Sequence, residues 1–194
     1  MSTTGNRALR TFFRKQDVFS GLEGRSLDSV MRVLKREVLP RGATVFNEGE
    51  LGRTMFVLES GEVEVRRTNS SGEQTAIVRL GPGECFGEMA LVEMEPRSAT
   101  VVVTQKATVW SLTNLDLWKL FQEDHYAYVI VLQNICRLLS RRLRKADSRI
   151  SDFVSMGNGA ANRMGAGSTA EATKKPAKKP TSAPAKRRTR ASAS

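Results

Sequence analysis

Residues 83–100 read Gly-Glu-Cys-Phe-Gly-Glu-Met-Ala-Leu-Val-Glu-Met-Glu-Pro-Arg-Ser-Ala-Thr and carry the most specific chemistry in the chain. This stretch predicts a glycine-containing turn, a helical turn that begins near Glu88, and a loop that ends at Arg97 just before a buried strand. Free backbone N–H groups at the start of the helical turn favour an anion. The guanidinium of Arg97 adds paired donors whose spacing matches two oxygens of a phosphate.

The carboxylate of Glu88 is unexpected beside a bound anion, because two negative charges repel each other. Its presence is explained if it accepts a hydrogen bond from a sugar hydroxyl that lies next to the phosphate. A phosphate and a ribose together indicate a nucleotide. The alternative is that Glu88 interacts only with the dipole of its own helical turn and that Arg97 forms a surface ion pair.

Short runs of β-branched and aromatic residues surround this stretch. The runs cover residues 45–46, 55–58, 63–65, 76–78, 101–103 and 109–110. Clusters of turn residues separate them, at residues 48–50, 60–61, 69–72 and 81–83. Strands at this spacing predict an antiparallel sandwich or barrel with a single core, so we expect a mainly β domain.

Helical periodicity flanks the predicted strands on both sides. Residues 8–35 predict short helices, residues 114–123 predict one further short helix, and a long helix is expected from Tyr126 towards Phe153.

The long helix carries two apolar stripes. One stripe has gaps that alternate between three and four residues, which is the spacing of a coiled-coil seam and predicts a homodimer. Its members are Val129, Leu132, Cys136, Leu139, Leu143, Ala146, Ile150 and Phe153. The other stripe, at Val131, Ile135 and Leu138, is expected to face the barrel. The alternative is that both stripes belong to one intramolecular core.

The positive charge of the chain is concentrated at its C-terminal end. The net charge is +11, and nine basic residues but only one acidic residue follow residue 154. That segment is rich in Gly, Ala, Ser, Pro and Lys, so we expect a disordered tail. It either serves solubility or contacts an acidic protein, a membrane surface or the phosphates of nucleic acid. Its candidate nucleic-acid contacts are Lys174, Lys175, Lys178, Lys179, Lys186, Arg187, Arg188 and Arg190.

Other function classes find little support in the residues. Cys85 and Cys136 lie in apolar surroundings and predict buried thiols in a reducing compartment. With a single histidine, His125, no four-ligand Cys/His metal site can form, so no metal or cofactor is expected. No phosphate-loop, nucleophile-elbow or zinc-protease motif is present, so we predict no enzyme activity.

The chain begins with polar residues, and no apolar run approaches the roughly 18 residues of a membrane span. We therefore expect a soluble cytoplasmic protein that is not inserted into a membrane.

Residues 86–91 (Phe-Gly-Glu-Met-Ala-Leu) and 96–100 (Pro-Arg-Ser-Ala-Thr) resemble the phosphate-binding cassette of the cyclic-nucleotide-binding domain family. That family includes the bacterial catabolite activator protein, kinase regulatory subunits and cyclic-nucleotide-gated channels. Upstream segments at 48–50, 55–63 and 80–85 match in the same order, and the resemblance spans about residues 17–150. It implies a jelly-roll-like β-barrel (a double-stranded β-helix) with N-terminal helices and a long C-terminal helix.

The resemblance also implies the roles of individual residues. Arg97 would pair with the equatorial phosphate oxygen of a cyclic mononucleotide, and Glu88 would hold the ribose 2′-hydroxyl. The phosphate cradle would be completed by Gly87, Met89, Ala90 and Ser98.

Base selectivity is implied less directly. The serine after Arg97 serves cAMP in the catabolite activator, which favours cAMP over cGMP as the ligand. Residues 141–143 (Arg-Arg-Leu) resemble the activator's long helix and would bring Lys145, Ala146 and Asp147 near the purine. The hydroxyl pair that the activator has at this place is absent here.

The organisation that follows is an N-terminal arm (1–16), a cyclic-nucleotide-binding domain with its dimer helix (17–154) and the disordered basic tail (155–194). The resemblance implies a sensor whose C-terminal helix moves when ligand binds and signals to an effector protein. In the catabolite activators a winged helix-turn-helix follows that helix, and none is expected in the 41 residues after Phe153. The alternative is a cyclic-nucleotide-dependent transcription or nucleoid regulator that contacts DNA through the basic tail.

Overall fold

A computed structural model describes residues 3–93 and 95–165 of the chain, with side chains from 5–93 and 95–154. The candidate nucleic-acid contacts of the tail, from Lys174 to Arg190, lie outside the described residues.

Helices flank a set of strands, in the order that the sequence predicts. The helices are α1 (Thr3–Arg14), α2 (Gly24–Val33), α3 (Glu88–Val92), α4 (Asn114–Glu123) and α5 (His125–Gly165), with a 3-10 turn at Asp17–Phe19. The strands are β1 (Lys35–Leu39), β2 (Thr44–Phe46), β3 (Thr54–Thr68), β4 (Gln74–Leu80), β5 (Cys85–Phe86) and β6 (Thr100–Thr113). The predicted class, mainly β with flanking helices, is confirmed.

The six strands form one antiparallel sheet whose main order is β1-β6-β3-β4. Strand β2 pairs with β6, and β5 pairs with β3. The two long strands β3 and β6 run side by side from the pair Thr54–Thr113 to the pair Arg66–Thr100. Hydrogen bonds between the described strands do not close this order into a ring, so the jelly-roll barrel is open along one edge.

The turn predicted at residues 60–61 is wrong, because β3 continues through it. The register between β3 and β6 shifts on either side of Ser60, and Gly61 takes a left-handed φ of 86°. A Cβ at residue 61 would lie 2.3 Å from the Lys106 carbonyl oxygen, so only glycine lets the two strands approach this closely. The residues that were expected to end one strand instead form a bulge inside it.

Helix α4 begins where the sequence predicts, since Thr113 caps it. The Thr113 hydroxyl accepts a hydrogen bond from the Asp116 amide at 3.1 Å, and the Asp116 carboxylate accepts one from the Thr113 amide at 3.2 Å. This reciprocal capping box satisfies donors that the first helical turn leaves free.

Two apolar clusters position the site. One lies between the strands and includes Phe56, Leu58 and Val109, while the other packs the helices against the sheet. Val131 and Ile135 of α5 are fully buried in the second cluster, and Leu138 packs against it. The stripe expected to face the barrel is therefore confirmed.

By its contacts the chain divides into two units, residues 1–146 and 147–194. In the first unit, Leu132 and Leu139 are partly buried, whereas Val129, Cys136 and Leu143 are left uncovered by the described part of the chain. In the second unit, Ile150 and Phe153 are exposed. The prediction that both cysteines are buried is wrong for Cys136, which lies on the outer side of α5.

None of the helices in the described ranges combines the length and the apolar character needed to cross a membrane.

Candidate functional site

The turn between β5 and α3 is made by Gly87. Its φ of 76° lies in the left-handed region, which side chains other than glycine rarely adopt. A Cβ at this position would also lie 2.6 Å from Nη1 of Arg97 and 2.9 Å from the Thr54 carbonyl oxygen. Gly87 is therefore required both for the backbone conformation and for the space that the Arg97 side chain occupies.

The backbone of Arg97 is fixed against the turn that follows β2. Its amide donates to the Glu50 carbonyl oxygen and its carbonyl accepts from the Gly49 amide, each at 2.8 Å. Its Nη1 donates to the Gly87 carbonyl oxygen at 3.1 Å. The turn at residues 49–50 thus holds the backbone of Arg97, and its guanidinium reaches Gly87, the residue that precedes Glu88.

The guanidinium of Arg97 is a buried cation. The residue is 7% exposed, and its Nε is the one buried side-chain nitrogen or oxygen in the described ranges that has no hydrogen-bond partner. Burial lowers the pKa of Arg97, and the nearby carboxylates of Glu50 and Glu88 only partly oppose that effect. No described carboxylate forms an ion pair with it. Such a group calls for an explanation, and an anionic ligand supplies one.

Glu88 is also buried, with 3% of its surface exposed. Its carboxylate accepts a hydrogen bond from Nη1 of Arg142 at 2.5 Å, and Nη2 of Arg142 donates to the Cys85 carbonyl oxygen at 2.5 Å. Arg142 of α5 therefore binds both β5 and the first residue of α3. Among the residues with described side chains, the charge of Glu88 is paired and that of Arg97 is not.

Sequence reasoning missed the role of Arg142. The resemblance of residues 141–143 to the catabolite activator's helix assigns Arg142 no partner. Helical spacing contains a usable signal, because Arg142 follows Ile135 by seven residues and Leu138 by four, on the stripe that faces the sheet. A lone arginine on a buried stripe indicates a carboxylate on the facing element.

Cys85, whose carbonyl oxygen accepts this hydrogen bond from Arg142, has a buried and unreactive thiol. Burial raises the pKa of its thiol to about 12, and the nearby guanidinium of Arg142 does not offset that effect. Thiolate is the reactive form of cysteine, so Cys85 is expected to resist alkylation and oxidation at neutral pH.

The remaining residues of the predicted cradle are divided between core and surface. Ala90 is buried on the inner face of α3, whereas Met89 and Ser98 are exposed. The candidate base contacts Lys145, Ala146 and Asp147 are exposed side chains of α5. Among the described residues no group of His, Cys, Asp and Glu could hold a metal ion.

The arrangement brings together a buried guanidinium that has no ion pair with a described residue, a left-handed glycine against which it lies, and a buried carboxylate one residue further on. This combination can bind a ligand that carries both an anionic group and a hydroxyl.

Comparison with known proteins agrees with this geometry. The family model described as "Cyclic nucleotide-binding domain" matches residues 36–124. The chain is 35% identical to the Cyclic AMP receptor protein of Thermus thermophilus over 67% of this chain and 58% of that protein. It is 28% identical to the CRP-like cAMP-activated global transcriptional regulator of Mycobacterium tuberculosis over 71% of this chain and 59% of that protein.

The chain thus spans less than two thirds of the length of these two relatives. Among solved structures, the Thermus thermophilus Catabolite Activator Protein superposes with a TM-score of 0.65 at 33% identity, over 72% of this chain and 63% of that one. The segment matched by the family model runs from the second residue of β1 to just past α4, and it contains the left-handed Gly87 and the buried Glu88 and Arg97. Residues 36–124 therefore form a domain of the cyclic nucleotide-binding family.

Proposed function

We propose that this chain is a sensor that binds a cyclic mononucleotide, with cAMP preferred, and signals through α5 to an effector protein. The observation that carries the proposal is the buried Arg97 guanidinium, which has an unsatisfied Nε and no ion pair with a described residue. The cyclic phosphate would supply the missing anion, because its paired oxygens match the donor fork of arginine.

The geometry of Glu88 supports a ribose beside that phosphate. A carboxylate has two oxygens and about four acceptor positions. The bond from Arg142 uses one of them, so Glu88 can also accept a hydrogen bond from a 2′-hydroxyl. Arg142 holds the carboxylate in a fixed orientation, which reduces the entropy that ligand binding would otherwise cost.

The same contact provides a route for the signal. Arg142 belongs to α5, and its two donors reach Glu88 and the carbonyl group of Cys85. A ligand that hydrogen-bonds to Glu88 alters the carboxylate that Arg142 of α5 contacts, and so alters the contact between α5 and the site. Ligand binding would then favour one position of the helix by the difference in affinity between the two states, typically about 1–3 kcal/mol.

The preference for cAMP rests on Ser98 and on the relatives whose names refer to cAMP. A thermal-shift panel of cAMP, cGMP, cCMP and cUMP, with 5′-AMP as the open-phosphate control, tests it. At a concentration about 100 times its dissociation constant, a ligand stabilises the folded state by about 2.7 kcal/mol. For a chain of this size, that corresponds to a rise of roughly 5–10 °C in Tm. We expect the largest shift with cAMP, and equal shifts for all five nucleotides would contradict the proposal.

Glu88→Ala should erase the discrimination between ribose and deoxyribose. A hydrogen bond to a charged group contributes about 1.5–3 kcal/mol, so the wild type should bind cAMP at least roughly tenfold more tightly than 2′-deoxy-cAMP. In the variant that ratio should fall close to one, measured by calorimetric titration of both ligands. Glu93→Ala, at the exposed end of α3, is the control and should keep the ratio. A ratio that survives in Glu88→Ala would show that the ribose lies elsewhere.

We also infer that α5 pairs with a second copy of the chain. Val129, Cys136 and Leu143 are exposed and line up with the partly buried Leu132 and Leu139 at the spacing of a coiled-coil seam. An apolar stripe of this length on a surface helix favours an interface.

The cysteines provide a direct test of that pairing. If two copies of α5 pair in parallel and in register, the exposed Cys136 of one copy faces Cys136 of the other. Mild oxidation should then give a covalent dimer on a non-reducing gel, and Cys136→Ser should abolish it. Cys85 should not contribute, because its thiol is buried and has a pKa of about 12. A wild-type chain that remains monomeric in sedimentation and does not cross-link would contradict the pairing.

A further inference from the structure

The Arg97 guanidinium lies in a narrow slot whose walls come from two glycines and a phenylalanine. The ring centroid of Phe46 is 3.9 Å from Cζ of Arg97. A Cβ on Gly52 would lie 2.2 Å from Nε and 2.5 Å from Cζ of the same side chain. A Cβ on Gly87 would lie 2.6 Å from Nη1. The flat group is therefore bounded by an aromatic face, by bare backbone at Gly52 and by bare backbone at Gly87.

We propose that Phe46 and Gly52 are positioning residues that set the plane of the Arg97 guanidinium and thereby the affinity of the site for a cyclic phosphate. This inference rests on the proposed function. Neither residue is needed to contact the ligand, and both act through Arg97.

The need for such positioning follows from what Arg97 lacks. A buried arginine is usually oriented by a carboxylate that binds two of its donors. Here the described contacts give the guanidinium a single hydrogen bond, from Nη1 to the Gly87 carbonyl oxygen. One bond leaves the plane free to rotate about its axis. The face of Phe46 removes that freedom by attracting the cation to the ring, and the bare backbone of Gly52 leaves the space in which the guanidinium can lie flat.

Phe46 is itself held in place by the core. Its ring lies 6.1 Å from that of Phe56, and Phe56 stacks on Phe86 at 5.2 Å with an angle of 18° between the ring planes. The cation thus rests on the end of an aromatic cluster that packs within the sheet. Rigid support of this kind fixes a binding group before its ligand arrives.

A substitution at Gly52 tests the positioning of Arg97 without disturbing the backbone conformation. Its φ lies outside the left-handed region, so alanine is compatible with the backbone, and the three atoms nearest to the added Cβ would all belong to the Arg97 side chain, which would have to move. Gly81 is the matched control, because it also lacks a left-handed φ and a Cβ there would meet nothing within 4 Å. We expect Gly52→Ala to raise the calorimetric Kd for cAMP at least roughly tenfold and Gly81→Ala to leave it unchanged.

Phe46 is tested by changing the electrostatics of its ring at nearly constant shape. Phenylalanine analogues with an increasing number of fluorines weaken the attraction between the ring and a cation. At residue 46 they should raise the Kd for cAMP step by step, while the same series at Phe12, a partly buried residue of α1, should not. A flat series at residue 46, or a Gly52→Ala variant with the wild-type Kd, would overturn the inference.

A measurement without nucleotide separates this inference from the proposed function. Phe46→Leu should destabilise the wild-type protein more than it destabilises the Arg97→Met variant, by about fivefold in the unfolding equilibrium constant. Gly52→Ala should likewise cost stability only when Arg97 is present. If the stability changes are fully additive in both double-mutant cycles, Phe46 and Gly52 do not position Arg97, and the inference is refuted. If the cycles show coupling but no cyclic nucleotide binds the wild type, the positioning of Arg97 is supported and the proposed function fails.

Discussion

Arg97→Met is expected to remove cyclic-nucleotide binding without harming the ligand-free fold. Truncating one partner of a buried, hydrogen-bonded charge pair costs about 2–5 kcal/mol, so the Kd for cAMP should rise at least roughly thirtyfold. The same substitution should leave the stability of the free protein equal or higher, because an apolar side chain replaces a desolvated cation that has no ion pair with a described residue. Few buried residues are expected to show that combination.

Calorimetric titration gives the Kd, and urea unfolding without nucleotide gives the stability. Arg36→Met is the control, since Arg36 is an exposed arginine that pairs with Glu59 at 2.9 Å on another part of the sheet. It should leave cAMP binding unchanged. An Arg97→Met variant that binds cAMP as the wild type does, or that unfolds at much lower urea, would show that Arg97 is a structural residue.

Arg142→Met should have the opposite effect on stability. It leaves the carboxylate of Glu88 buried and without its cation, and breaking a buried pair costs about 3–5 kcal/mol. The Arg142 side chain is 39% exposed, so solvent reduces that cost and we expect a loss of about 2 kcal/mol. The adjacent Arg141→Met removes an exposed pair with Asp17 and should cost less than about 1 kcal/mol.

The double variant Glu88→Gln with Arg142→Met identifies the cause. If an unpaired buried charge is responsible, neutralising Glu88 should restore part of the stability that Arg142→Met loses, as judged by the urea midpoint. If the double variant is less stable than Arg142→Met by the full cost of Glu88→Gln, the two side chains act independently. The ion pair between Arg142 and Glu88 would then contribute nothing to the stability of the protein.

The two arginines differ in a way that explains their roles. Arg142 is paired with a carboxylate in the ligand-free protein, so it contributes to the fold and ties α5 to the site. Arg97 lacks such a partner among the described residues, so its interaction energy remains available to a ligand. Natural binding sites often sacrifice stability in this way.

Much of the fold follows from the sequence because its signals are local. Residues 113–123 combine an N-cap at Thr113, a helical period and an acidic third helical residue, and the helix has the predicted bounds, 114–123. The turn at Gly87 and the helical turn from Glu88 were also predictable, because each depends on neighbouring residues.

The parts that were missed depend on contacts between distant segments. Strand β1 consists of Lys35–Leu39, in which four of the five residues are exposed, and it pairs with β6 without an apolar alternation that could reveal it. The bulge at Gly61 depends on the approach of Lys106, which no local pattern encodes. At the site, the sequence alone indicates a phosphate partner for Arg97 and a sugar-hydroxyl partner for Glu88. Their partners Arg142 and Phe46 come from α5 and β2 and meet them only in the folded chain.

Titration of the full-length protein with cAMP in a calorimeter, beside the Arg97→Met variant, tests the central claim most directly. We expect saturable binding of one nucleotide per chain in the wild type and loss of that heat in the variant. No binding of any cyclic mononucleotide to the wild type, or equal binding to both proteins, would mean that the lone buried guanidinium does not serve a cyclic phosphate.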